Sequence, residues 1–65
     1  MKIGASIRKK RRAKGITQAK LAALTDIGAS YISRIEAGGH QPSVATIERI
    51  AKALGTTTLK ILEDA

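Results

Sequence analysis

Apolar residues recur along the chain at three- and four-residue intervals, the spacing that gathers them on one side of an α-helix. Glycine and proline interrupt the pattern at Gly15, Gly28, Gly38-Gly39, Pro42 and Gly55, dividing it into five short helical stretches. The first is predicted from about Ile3 to Lys14, with Ile3 and Ile7 on its apolar stripe, Arg11 next along that stripe, and Gly15 as a left-handed cap. The second begins after Thr17, a good N-cap, and turns Leu21, Ala22 and either Leu24 or Thr25 inward. The third starts near Gly28 and ends at Ala37, with Ile32 and Ile35 inward. The fourth follows Pro42 and the cap Ser43, carries Val44, Ile47, Ile50, Ala51 and Leu54 on its core side, and stops at Gly55. A short fifth helix with Leu59, Ile61 and Leu62 follows the run Thr56-Thr57-Thr58. No stretch alternates long enough for a strand, and no repeat or linker is visible. The expected fold class is all-α, a compact five-helix arrangement in one domain over residues 1–65.

A chain of 65 residues without cysteine has no disulfide or cysteine-held metal to staple it, so its stability must come from aliphatic packing between helices. Charge adds a partner to this picture. Twelve Lys and Arg oppose five Asp and Glu, a formal +7; the basic residues crowd the N-terminal third, and the first acid is Asp26. A merely solubilising surface would mix the signs. The asymmetry points to an anionic partner, nucleic acid before an anionic membrane. No apolar run approaches the roughly 20 residues of a membrane span, and the first residues lack a signal-peptide core, so a cytoplasmic location is expected.

Only Thr25-Asp26-Ile27-Gly28 separates the second helix from the third. So short a turn makes the two helices cross steeply, needs a small residue such as Ala22 where the backbones meet, and lets Ile27 plug the turn. This is helix-turn-helix geometry over about Thr17 to Glu36, in which the second helix is presented for the major groove of a duplex.

Four segments, Gln18-Ala19-Lys20-Leu21-Ala22, Ser30-Tyr31-Ile32-Ser33-Arg34-Ile35-Glu36-Ala37-Gly38, Gln41-Pro42-Ser43 and Ala51-Lys52-Ala53-Leu54-Gly55, resemble the phage-repressor and Cro family of helix-turn-helix regulators over nearly the whole chain. The resemblance implies a lambda-repressor-like five-helix domain that binds operator half-sites on double-stranded DNA as a homodimer. Two positions depart from the family's pattern. Asp26 stands where the turn usually has glycine, and Gly28 stands where a serine usually caps the third helix. Asp tolerates a positive φ better than most residues, and Gly is an acceptable cap, so the pattern is swapped rather than lost.

Projected at about 100° per residue, the third helix turns Ser30 and Arg34 nearly opposite Ile32 and Ile35, with Ser33 beside them and Ala29 at the N-terminal end. These four are the candidate base readers. Arg34 leads, because a bidentate contact to guanine is the commonest specific contact, and Ala29 can meet a thymine methyl. Tyr31 lies on the flank of the buried side, where its ring covers the core and its hydroxyl can reach a phosphate. Gln18 and Lys20 sit in the first turn of the second helix, a natural anion site, and the resemblance marks Gln18 as a phosphate or base-edge contact. Gly39, His40 and Gln41 belong to a loop expected to run along the DNA backbone, where glycine lets main-chain N–H groups approach phosphates. The family often carries Lys or Arg in this loop, so its grip is expected to be weaker here.

Arg11 on an apolar stripe and Glu36 near the core side of its helix would each be costly if unpaired. The economical solution is that they pair, tying the first helix to the third, and the resemblance implies the same pair. Within Arg8-Lys9-Lys10-Arg11-Arg12 the charges do not form one face. Some add sequence-independent phosphate attraction and others are only solvated. The fifth helix, with Thr57, Leu59 and Ile61, is the expected dimer surface, with Leu59 or Ile61 as its exposed apolar contact.

The sequence offers nothing for catalysis, metal or cofactor: a single His, no Cys, scattered acids and no phosphate-loop motif. One aromatic residue is too few for stacking on single-stranded RNA. An amphipathic membrane binder is disfavoured by the glycine punctuation and the lack of interfacial Trp or Phe. An interaction module stays open beside the operator reader, since this fold also serves in antitoxins that hold a protein partner. A toxin-like neighbouring gene would separate the two.

Overall fold

Most helix boundaries follow from a local cap. In the computed structural model, which describes residues 2–65, the elements are α1 (Ile3–Ala13), α2 (Gln18–Thr25), α3 (Ala29–Glu36), α4 (Val44–Ala53) and α5 (Thr58–Glu63). Thr17, Ser43 and Thr57 accept the backbone N–H of Lys20, Thr46 and Lys60, which fixes where α2, α4 and α5 start. At the other ends, α1, α3 and α4 stop on the left-handed glycines Gly15, Gly38 and Gly55. The amide of the residue after each glycine reaches back to a carbonyl of the last turn, as Gly39 does to Arg34 at 3.0 Å. Asp26, at φ 58°, takes the same left-handed place after α2.

The helices close over one core: Ile3 and Ile7 of α1, Leu21 of α2, Ile32 and Ile35 of α3, Ile47, Ile50 and Ala51 of α4, then Leu54 and Ile61. Isoleucine dominates because β-branched side chains fill a small interior with little rotamer freedom left to lose. Two hydroxyl groups are also enclosed. Ser6 donates to the carbonyl oxygen of Ile61 at 2.9 Å, and Thr25 donates to Leu21 within its own helix at 2.8 Å. Among the described residues no buried side-chain N or O lacks a partner, as a low-dielectric interior requires.

One apolar expectation changes, and two open choices are decided. Val44 is 64% exposed rather than core; it sits at the edge of the apolar arc of α4 and in its first position, where no neighbouring helix covers it. Of the pair on α2, Thr25 is buried and Leu24 half-exposed. Ile61 is wholly buried beneath α1 and α4, so it is not an exposed dimer contact. Its neighbour Leu59, two residues away on the opposite face of the helix, is 65% exposed.

Helix ends are also held from afar. The Arg49 guanidinium of α4 donates to the Thr25 carbonyl oxygen at the end of α2, where a cation favours both the free carbonyls and the helix dipole. Lys10 pairs with Asp64 after α5. That hydrogen bond, aided by the charges of Lys60 and Lys9, holds the Asp64 carboxyl below its ordinary value. Its small stabilisation is therefore present at neutral pH and fades only as pH falls through that lowered value. Among the described residues no helix is long and apolar enough to cross a membrane.

Candidate nucleic-acid interface

The α2–α3 turn decides what α3 presents. After the left-handed Asp26, Ile27 drops half-buried onto the core and donates its N–H to Ala22 at 3.2 Å. Gly28 then runs extended at φ −62°, ψ 141° and caps α3 with its backbone alone. The positive φ that the turn needs thus falls on Asp26, and the glycine at 28 is not used for its conformational freedom. With Ile32 and Ile35 pinned inside, Ala29, Ser30, Ser33 and Arg34 all lie exposed on one side of α3. The side chains are short near the N-terminal end and long only at Arg34, so the helix can approach a groove floor closely.

Beneath this face lies a buried ion pair. Arg11 Nε donates to Glu36 Oε2 at 2.8 Å and Arg11 Nη2 donates to Oε1 at 3.0 Å, a two-pronged bond with side-chain exposures of 9% and 2%. Arg11 Nη1 adds a bond to the carbonyl oxygen of Ile16 at 2.8 Å. The hydrogen bond to Glu36 holds the guanidinium above its ordinary value, against the lowering effect of burial. Gln18 joins the same carboxylate, its Nε2 donating to Glu36 Oε1 at 3.1 Å. The amide expected to meet DNA is therefore also anchored from behind, and half-buried. One carboxylate thus ties α1, the start of α2 and the end of α3 into a fixed arrangement.

Around the edge, Lys20 is exposed, while its backbone N–H is already taken by Thr17. His40 and Gln41 are exposed in the loop after α3. Gly39 differs from expectation. Its N–H is committed to Arg34, as that of Gly38 is to Ile35 at 3.1 Å, because these amides close α3; Gly39 does not hold that N–H out to a phosphate. Tyr31 is half-buried, and its hydroxyl lies 2.8 Å from His40 Nε2. Nine residues apart and in different elements, the two carry no sequence signal for this pairing. Sequence reasoning also missed Ser6, Arg49 and the close approach of α1 to α3 at Gly4. Among the described residues no group of His, Asp and Glu is placed to hold a metal.

Comparison with known proteins agrees with this arrangement. A helix-turn-helix family model matches residues 7–61. The chain is 32% identical over 92% of its length to the HTH-type transcriptional regulator y4dJ of Sinorhizobium fredii, covering 78% of that protein. It is 36% identical over 85% of its length to the immunity repressor protein of Bacillus phage phi105, of which it covers 38%. The crystal structure of the restriction-modification controller protein C.AhdI from Aeromonas hydrophila superposes with a TM-score of 0.89 at 33% identity, over 92% of this chain and 91% of that one. With its turn, its outward third helix and the match over most of its length, the chain belongs to the helix-turn-helix family of DNA-binding transcriptional regulators.

Proposed function

We propose that the chain is a transcriptional repressor that binds an inverted-repeat operator as a homodimer and reads each half-site with α3. The observation that supports this best is the exposed row Ala29, Ser30, Ser33 and Arg34, backed by the locked Arg11–Glu36–Gln18 cluster. In this reading Arg34 meets a base edge. The free edge of the Gln18 amide, Lys20, Tyr31 and Gln41 meet phosphates, with His40 beside the Tyr31 hydroxyl at the same edge. The basic residues of α1 add attraction that does not depend on sequence. Such a regulator works in the cytoplasm with its DNA.

Selection from a random duplex library at about 0.15 M salt, where non-specific attraction is weakened, tests this reading. An enriched inverted repeat with half-sites about 10 bp apart is expected. Arg34→Ala should then cost about 1–3 kcal/mol on the selected site and relax preference at one base position, with little change on random DNA. Enrichment of no sequence, with binding that only fades as salt rises, would leave a basic surface without a reader.

Leu59 carries the dimer reading, because it is the one left exposed, at 65%, of the apolar residues of α5 proposed for the contact. Leu59→Glu should weaken binding to the full repeat by about tenfold or more, because two leucines lose their cover. Binding to a single half-site should stay as it was. Equal losses on both DNAs would place the dimer contact elsewhere.

A further inference from the structure

The contact between Tyr31 and His40 joins the recognition helix to the loop after it, and the sequence reading took the two only as separate neighbours of DNA. The Tyr31 hydroxyl lies 2.8 Å from His40 Nε2. Their rings meet edge to face at 4.7 Å and 61°, and the Arg34 guanidinium sits over the Tyr31 ring at 5.9 Å. Tyr31 is therefore held on one side by the imidazole and supports the leading base reader on its face.

We infer that His40 is a positioning residue for DNA binding, acting through Tyr31, and that its protonation sets which way the Tyr31 hydroxyl donates. The inference rests on the proposed DNA face. A phenolic oxygen has one proton to give. When His40 Nε2 carries no proton, the Tyr31 O–H points at it, and the hydroxyl presents only lone pairs outward, which repel a phosphate oxygen. When Nε2 is protonated, the imidazole donates to the tyrosine oxygen instead, and the O–H is free to turn outward to a phosphodiester. The neutral imidazole reaches that arrangement in one of its two tautomers. The imidazolium allows no other, and it adds a positive charge beside the backbone.

Imidazole is the side chain that ordinarily changes charge between about pH 5 and 8, and His40 is the one histidine of the chain. The groups around it belong to three segments. Tyr31 meets it from α3, with Arg34 over the Tyr31 ring; Lys2, before α1, and Glu36 line the same cavity as His40. Gln41 follows it in the loop. Glu36 is already engaged by Arg11 and Gln18, so the proton shared at the Tyr31 hydroxyl is exchanged with His40. Binding to a polyanion that accepts from Tyr31 then favours a proton on His40 Nε2, which one neutral tautomer supplies and the imidazolium always supplies together with a positive charge.

The test is the dissociation constant on the selected operator and on random duplex at pH 6 and pH 8, at fixed salt, for the wild type, Tyr31→Phe and His40→Ala. Thermal melting of each variant confirms that it is folded. Tyr31→Phe keeps the ring under Arg34 and removes only the hydroxyl. The wild type is expected to bind the operator about three- to tenfold more tightly at pH 6 than at pH 8, one proton being linked to binding. Both variants should lose most of that difference. A pH effect that survives in Tyr31→Phe and disappears in His40→Ala overturns the inference, because His40 would then act on the phosphate directly. An operator affinity flat with pH in the wild type overturns it too, while leaving the repressor reading intact. Absence of operator selectivity at either pH overturns both.

Discussion

Glu36→Gln should cost about 3–5 kcal/mol of stability, the effect expected when one partner of a buried ion pair is removed. The reason is the group left behind. Arg11 cannot escape by losing its proton, since a guanidinium stays charged at any working pH and the surrounding bonds hold its proton more tightly still. It is enclosed between α1 and α3 against a neutral amide of the same shape, in which one acceptor oxygen remains and an NH2 group now faces a donor of the guanidinium. A chain of this length holds roughly 3–10 kcal/mol in all, at about 0.05–0.15 kcal/mol per residue. The loss therefore removes between about a third of the stability and all of it, and urea titration followed by circular dichroism would show the lowered midpoint directly. A loss below about 1 kcal/mol, the range of surface pairs, would mean that water enters the site.

Replacing both partners separates stability from positioning. Arg11→Met combined with Glu36→Leu removes both charges and leaves apolar side chains of similar bulk, a change that is often neutral or stabilising. The Gln18 amide loses its acceptor in the same step. A stable double variant with weakened operator affinity is the expected result. It would assign to the pair the work of holding α2 and α3 at the angle that reads DNA.

The five helices were legible because each is marked twice, by an apolar stripe and by a cap. Thr17, Ser43 and Thr57 begin helices, and Gly15, Gly38 and Gly55 end them. The same stripes flagged Arg11 and Glu36 as charges facing inward, and they lie in hydrogen-bond contact. Where periodicity failed, a third body decided. Ile61 and Leu59 are equally apolar, and only the placement of α1 and α4 over one side of α5 buries the first and exposes the second. Val44 satisfies the spacing of its stripe, yet no neighbour reaches the first turn of α4. Ser6 has a partner 55 residues away, in α5. Tyr31 and His40 meet because the chain turns back after the left-handed Gly38. Such pairings depend on how helices cross, and a pattern along the chain carries no information about crossing. The exposed row on α3 was readable from the angle per residue alone. Which phosphate or base each member meets is set by the duplex, whose sequence and shape no pattern along this chain encodes.

Gly4→Ala supplies the sharpest contrast between local and tertiary rules. Gly4 lies in the first turn of α1, and helix propensity alone favours alanine over glycine there by about 1 kcal/mol. Taken by itself, the sequence therefore predicts a more stable protein. The structure predicts the reverse. A Cβ on Gly4 would stand 2.0 Å from the carbonyl oxygen of Ile35, 3.0 Å from its carbonyl carbon and 3.1 Å from Glu36 Cα. All three are backbone atoms of α3, so no rotamer change can move them aside; the two helices must part. Parting them opens the packing of Ile3, Ile7 and Ile35 and pulls Arg11 away from Glu36, since both pairs span the same α1–α3 contact. Overpacking typically costs about 1–3 kcal/mol and occasionally more, and a clash confined to main chain belongs at the top of that range or above it. Ala5→Gly, at the exposed neighbour in the same turn, calibrates propensity and should cost about 1 kcal/mol. If Gly4→Ala melts with or above the wild type while Ala5→Gly melts below it, local propensity governs this turn and the close approach is wrong. If Gly4→Ala loses about 3 kcal/mol or more, glycine is there because the backbone of the recognition helix passes within reach of its Cα, and the position of α3 on DNA is set as much from Gly4 as from the turn that precedes it.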